Sequence, residues 1–223
     1  MKKLKNAGFT LIELLAVITI MGILMMVAIP SVTRTIANSR RDTFADIVLR
    51  YVDSARNMYV GDNIKCYVNG KWTPASAAPQ GIYYIPICTG GGYAADGTTP
   101  IDDNCEPIEL TAATETAAAT YFKITEINST TSALLEKGGK SSFGSAEMRG
   151  YIKIEKKSVE TEDGGKISKE VYSALFVDSG LHGFANEELE EQIDRSTVNA
   201  ELGTSATRAN KPDDTSAKVC KVV

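Results

Sequence analysis

Residues 9–30 read FTLIELLAVITIMGILMMVAIP, and this stretch decides how the chain is organised. Sixteen successive residues, 14–29, carry no charge, and Glu13 is the one charged residue of the stretch. A helix of about 21 residues is ~31 Å long, close to the thickness of a bilayer core. The stretch therefore predicts a membrane-spanning helix half over residues 9–30.

The eight residues before this stretch, MKKLKNAG, contain three lysines and no acid. Positive flanking charge stays in the cytoplasm, so we expect the N-terminus inside and the rest of the chain outside. A secretory signal peptide has similar regions, but Glu13 opposes it, since a carboxylate in an apolar span costs roughly 2.5 kcal/mol or more. No persuasive A-x-A cleavage site follows Ile29 either. A plain single-span anchor fits the length but leaves Glu13 without a partner.

The junction ahead of the apolar run reads Gly8-Phe9-Thr10-Leu11-Ile12-Glu13-Leu14-Leu15. Together with the basic leader and Pro30, this order resembles the processing site of type IV prepilins and related pseudopilins. The resemblance implies that residues 1–8 are a leader, cut after Gly8 by a membrane aspartyl protease that also methylates the new N-terminal Phe9. The remainder of the chain matches no motif.

The resemblance also suggests a partner for Glu13. Cleavage creates an α-amine on Phe9, and in a helical stack of subunits the Glu13 carboxylate of one chain meets the Phe9 amine of its neighbour. Two charges that are each costly in an apolar core then offset one another and fix the register. Gly22 and Pro30 weaken the helix, and the resemblance implies that this region kinks or melts during assembly.

The function that this resemblance implies is structural. We expect a subunit of a type IV pilus that serves adhesion, motility or DNA uptake, first inserted in the cytoplasmic membrane and then displayed in an extracellular surface filament. Its partners would be other copies of the subunit, the prepilin peptidase and methylase, the ATPase-driven assembly machinery and the membrane. A type II secretion pseudopilin or a minor pilin is the alternative, and a single-span membrane-anchored binding protein or enzyme is the alternative of a different class.

Beyond Pro30, an amphipathic pattern predicts that the helix continues through residues 31–61 and ends at Gly61-Asp62-Asn63. Apolar side chains recur every three or four residues and predict a buried stripe. Its members are Phe44, Ile47, Val48, Tyr51, Ala55 and Met58.

Residues 62–223 predict one α+β domain in which the long helix packs on an antiparallel sheet, the pilin fold that the resemblance also implies. The predicted strands are Ile64–Val68, Gly81–Ile87, Tyr121–Ile127 and a C-terminal edge strand, Val219–Val223. Residues 150–159 and 167–178 predict a hairpin, with Tyr151, Ile154, Val159, Val171, Tyr172, Leu175 and Val177 in the core. Asn186 is a predicted cap of a short helix reaching Asp194, and residues 203–218 are expected to be mobile.

Four cysteines follow the apolar stretch, and none has C-x-x-C spacing, which argues against a zinc or thioredoxin site. On the outer side of a membrane they indicate two disulfides with three possible connectivities. Loop length favours Cys88–Cys105, which leaves Cys66–Cys220.

No catalytic, metal or cofactor site is predicted. Gly139-Lys140-Ser141 ends like a phosphate-binding loop but has Leu134 in place of its first glycine. The acidic run around Asp102-Asp103-Asn104 lacks the spacing of an EF-hand. His182, beside Asp178 and Ser179, resembles part of a triad without an oxyanion site. The net charge of −4, with no basic stripe, argues against nucleic-acid binding by the subunit itself.

Overall fold

The computed structural model describes residues 10–88, 108–111, 120–122, 141–144, 148–178, 180–199 and 211–223. It has an α+β fold in which one long N-terminal helix packs on a mostly antiparallel sheet, and this confirms the predicted fold class. Residues Met1–Ser39 and Arg40–Val223 form two compact units. In the first unit, residues 11–39 are helical and exposed.

Helix α1 runs from Leu11 to Val60, and its C-terminal part supplies one wall of the core. The predicted stripe is confirmed, because Phe44, Val48, Tyr51 and Ala55 are fully buried. The other two members of the stripe, Ile47 and Met58, are partly buried against the same core. The helix ends at the predicted turn, where Gly61 donates its N–H to the Asn57 carbonyl and Asp62 adopts a positive φ of 54°.

The strands in chain order are β1 (Ile64–Val68), β2 (Lys71–Pro74), β3 (Gly81–Cys88), β4 (Ile108–Thr111), β5 (Thr120–Phe122), β6 (Met148–Glu160), β7 (Lys166–Asp178), β8 (Gly183–Phe184), β9 (Glu188–Leu189), β10 (Val198–Asn199) and β11 (Lys218–Val222). The main sheet has the order β10-β8-β7-β6-β3-β11-β1-β2, and β9 pairs with β7. Each pair is antiparallel except β3 with β11, and β4 and β5 form a separate antiparallel pair.

Aromatic side chains join the helix to the sheet within the second unit. Tyr51 stacks on Phe176 of β7 with ring centroids 5.2 Å apart and planes 14° apart. Phe44 contacts Phe184 of β8 edge to face at 5.8 Å, and Phe143 at 5.9 Å. Since Phe176 faces α1, its neighbour Leu175 faces away from the helix, as alternation along a strand requires.

Three sequence predictions for this domain need correction. The helix expected after Asn186 is absent from the described residues: strand β9 and a 3₁₀ turn, Glu190–Gln192, stand there instead, because β9 pairs with β7 at Ser173 and Ala174. The C-terminal strand is not at an edge but lies between β1 and β3. Val159, predicted in the core, is 39% exposed, because the last residues of β6 project with β7 as a two-stranded ribbon whose faces are both exposed.

The remaining strand predictions agree with the structure where it describes them. The strand at Ile64–Val68 has the predicted bounds, and that at Gly81–Ile87 extends one residue further. The β6–β7 hairpin is longer than predicted at three of its four strand ends. Of the expected strand Tyr121–Ile127, the described part is within β5, and the rest lies outside the described residues. The same is true of residues 203–210 of the segment expected to be mobile.

Candidate functional site at the N-terminal helix

The first turn of α1 is closed by a capping box built from Thr10 and Glu13. The Glu13 Oε2 atom accepts hydrogen bonds from the Thr10 backbone N–H and from the Thr10 hydroxyl, both at 2.8 Å. The Glu13 N–H in turn donates to the Thr10 hydroxyl at 3.4 Å. The spacing T-x-x-E is the sequence signature of this motif, and it satisfies two backbone donors that a helix start leaves unpaired. The charge pattern singles out Glu13, but its capping role was not predicted.

The turns that follow expose an apolar surface that carries no charged residue from Leu14 to Thr33. The exposed fraction of the large apolar side chains between residues 11 and 36 ranges from 48% at Ile36 to 84% at Leu11. The most apolar 18-residue window of α1 has a mean hydropathy of 2.6 and no buried residue. By length and composition, this helix can cross a membrane.

The two predicted weak points lie inside this helix. Residues on both sides of Pro30 belong to α1, and Thr33 donates its hydroxyl to the carbonyls of Ile29 and Pro30 at 3.1 and 3.0 Å. A Cβ added at Gly22 would meet no heavy atom within 4 Å. Packing inside the subunit therefore does not require glycine at position 22.

Comparison with known families bears on this same segment. Residues 3–29 match the model of the prokaryotic N-terminal methylation motif. The match is consistent with the type IV pilin-like family and supports a type IV pilin or pseudopilin-like protein, a structural type that is generally not enzymatic. No curated protein and no solved structure matches the chain significantly.

The methylation motif carries its own functional implications. It implies processing by a prepilin peptidase and assembly into pilus-like filaments, and the apolar helix fits a single-span membrane-anchored prepilin. The predicted cleavage residues Gly8 and Phe9 fall within the matched range but outside the described residues. Of the predicted ion pair, the structure therefore describes Glu13 alone.

Downstream of the motif, Cys66 of β1 and Cys220 of β11 form a disulfide. The two residues are directly opposite in the antiparallel register, and both are fully buried. The bond joins positions 154 residues apart and fastens the last strand to the first. Of the other expected pair, Cys105 lies outside the described residues, and the side chain of Cys88 is not described.

Of the motifs that resembled catalytic or ligand-binding sites in the sequence, the structure describes the one around His182, whose side chain makes structural contacts. The His182 Nδ1 atom lies 3.0 Å from the buried Asp178 carboxylate, which also accepts hydrogen bonds from the His182 N–H and the Ser141 hydroxyl. The His182 ring stacks on Phe143 at 4.3 Å. Ser141 thus contacts the carboxylate of this set, and Ser179, the serine of the predicted triad fragment, lies outside the described residues.

No group of three or more metal-ligating side chains occurs among the described residues. The acidic run around residue 102 and the loop residues 134–140 lie outside them.

Two polar side chains that contact the sheet, the buried Lys156 and the half-buried Glu187, were not anticipated from sequence. Lys156, on β6, donates from Nζ to the carbonyls of Ala75, Ser76 and Ala78 at 2.8–3.0 Å. Burial lowers the pKa of Lys156, although Glu170 acts in the opposite direction. Glu187 accepts hydrogen bonds from Tyr151 at 3.0 Å and Ser173 at 2.9 Å. Neither residue has a sequence signal, because each is defined by a loop that folds back onto the sheet.

Proposed function

We propose that the chain is the structural subunit of a type IV pilus, cut between Gly8 and Phe9 and N-methylated on Phe9 before assembly. The observation that carries this proposal is a helix with an exposed apolar surface and a single carboxylate in its first turn, inside the matched methylation motif. In a membrane this surface contacts lipid, and in a filament it contacts the same surface of other copies. One helix thus serves first as an anchor and then as filament core.

The proposed partners follow from this life cycle. A prepilin peptidase and methylase removes residues 1–8, and ATPase-driven machinery extracts the subunit from the cytoplasmic membrane. Other copies then receive it into an extracellular filament. Gly22 and Pro30 are proposed to let the helix bend or melt during that transfer, and Cys88–Cys105 is proposed as the second disulfide of the outer domain.

Two alternative functions can be distinguished from that of a pilus subunit by the size and the side chains of the domain that follows the helix. A type II secretion pseudopilin or a minor pilin shares the motif, but residues 62–223 form a larger outer domain than a minimal major pseudopilin has, and this favours a pilus. A membrane-anchored enzyme or binding protein would need a catalytic or ligand constellation. Among the described residues of that domain, Ser141 and His182 both contact Asp178 and no group of three metal-ligating side chains occurs, while Ser179 lies outside them.

The direct test identifies the N-terminal residue of the subunits in surface fibres that are sheared from cells expressing the full chain. Mass spectrometry should find N-methylphenylalanine derived from Phe9 as the first residue. Gly8→Val should remain uncut and unassembled in the membrane. An intact Met1 in surface fibres, or a cut after Ala28, would refute the proposed processing.

The charge of Glu13 can be tested apart from its capping role. Glu13→Gln keeps an oxygen acceptor for the Thr10 N–H but removes the charge, whereas Glu13→Ala removes both. If Glu13 pairs with the Phe9 amine of a neighbour, both variants leave a buried amine unpaired, which typically costs about 3–5 kcal/mol.

Both variants should therefore reach wild-type levels in the membrane and yield few or no surface fibres by electron microscopy. Normal fibres from Glu13→Gln would eliminate the ion pair. Normal fibres from Glu13→Gln combined with failure of Glu13→Ala would assign the residue to the cap alone.

A further inference from the structure

The start of α1 lies two residues beyond the peptide bond that the proposed processing breaks. Helix α1 begins at Leu11, and Thr10 is the non-helical residue that caps it. Hydrolysis of the Gly8–Phe9 bond adds water across one peptide C–N bond, leaving a carboxylate on Gly8 and an amine on Phe9. A protease needs access to both sides of that bond, and a scissile bond inside a helical turn has to be unwound first.

The sequence offers a second helix start, upstream of the scissile bond. Asn6 is a residue type that caps helices as well as serine or aspartate does, and a helix capped there would include Gly8 and Phe9 in its first turn. Two features oppose that start: Gly8 is a poor helix former, and the capping box stabilises the start at Leu11. The sequence therefore offers two possible starts, one on each side of the bond, and the structure describes the downstream one.

We propose that the hydrogen bonds between Thr10 and Glu13 fix the helix start downstream of the scissile bond, so that Thr10 is a positioning residue for the prepilin peptidase. This inference rests on the proposed function, since it concerns the same cleavage. Thr10 has no part in the bond-breaking chemistry. It acts through the conformation of the residues that precede it. The cleavage rate should therefore depend on the acceptor oxygen of residue 10 and on its spacing from Glu13, and not on the shape of the side chain.

The test measures the rate at which the full-length chain, in detergent with prepilin peptidase, loses its eight-residue leader. Thr10→Val has nearly the shape of threonine but no acceptor oxygen, so it should be cut about five-fold more slowly, which corresponds to about 1 kcal/mol of lost capping. Thr10→Ser and Thr10→Asn keep a capping oxygen in side chains of different shape, and both should be cut at close to the wild-type rate.

A second substitution tests the competing start. Adding Asn6→Ala to Thr10→Val removes the upstream cap and should restore most of the lost rate, whereas Asn6→Ala alone should have little effect.

The outcomes separate this inference from the proposed function. If the wild-type chain is not cut at Gly8–Phe9, the proposed function fails. If the wild type is cut and Thr10→Val is cut equally fast, the positioning role is wrong while the proposed function stands. Slow cleavage of Thr10→Asn alongside normal cleavage of Thr10→Val would show that the peptidase reads the shape of the side chain, and it would also overturn the inference.

Discussion

At the scale of single residues, charge in an apolar setting was readable from the sequence, and buried polar contacts were not. Glu13 stood out because a carboxylate in an apolar helix is costly. Lys156 did not, because lysine on a strand is ordinarily exposed and nothing in the sequence places the loop of residues 75–78 over it. Its ammonium group is held by three carbonyls of that loop, which makes it a clamp between β6 and the β2–β3 connection.

Removing this clamp should destabilise the compact unit Arg40–Val223. Lys156→Met keeps the length of the side chain but leaves three carbonyls without their charged donor, and hydrogen bonds to charged groups are worth about 1.5–3 kcal/mol each. Since burial already opposes the charge, we expect a net loss of about 2–4 kcal/mol. Urea unfolding of the full chain in detergent, followed by fluorescence of the single tryptophan, Trp72, measures this loss of unfolding free energy.

The neighbouring variant Lys157→Met is the control. Because Lys157 is half exposed, this variant should change stability by less than about 0.5 kcal/mol. Equal effects of the two variants would refute the clamp.

At the scale of elements, local pattern predicted the helix stripe and the hairpin, because both depend on periodicity within a short segment. Pattern failed at Asn186, where a capping residue followed by acids suggested a helix. The pairing of Glu188 and Leu189 with β7 overrides that local preference. Pattern also failed at Val159, since alternation gives the face of a strand but not where the covering layer ends.

The β6–β7 hairpin depends on a close approach at Gly150. Gly150 has φ of +151°, and a Cβ there would lie 1.7 Å from the Leu175 carbonyl oxygen. Gly150→Ala must therefore push the two central strands apart, and we expect a loss of at least about 3 kcal/mol or failure to fold. Gly164→Ala, in the turn of the same hairpin, has a positive φ but open space around it, and should cost only about 1 kcal/mol. Protease resistance and urea midpoints of the two full-length variants compare them, and a similar loss in both would show that backbone conformation, not the contact, is limiting.

At the scale of the whole molecule, the sequence predicted that a long helix packs on an antiparallel sheet but not how the sheet is closed. The position of the last strand depends on which strands leave an open edge, and this is settled by packing over the whole domain. Strand β11 fills the gap between β3 and β1, so the β1–β2 pair joins the rest of the sheet through the chain's C-terminal strand. The prediction of an edge strand failed for this reason, although the strand itself was correctly predicted.

This topology makes the Cys66–Cys220 disulfide a covalent link between the β1–β2 pair and the rest of the sheet, because it joins β11 to β1. Replacing both residues, as Cys66→Ala with Cys220→Ala, frees a loop of 154 residues in the unfolded chain. The entropy model then predicts a loss of unfolding free energy of about 5 kcal/mol, at the upper end of the ~2–5 kcal/mol typical of native disulfides.

The loss of stability should also differ between the strands of the sheet. Hydrogen exchange of the full chain in detergent should accelerate more in β1, β2 and β11 than in β6 and β7, which are paired with each other along their whole length and serve as the internal control. Uniform acceleration across all of these strands would mean that the domain opens as one unit, and that the disulfide stabilises the whole fold without specifically holding β11 in place.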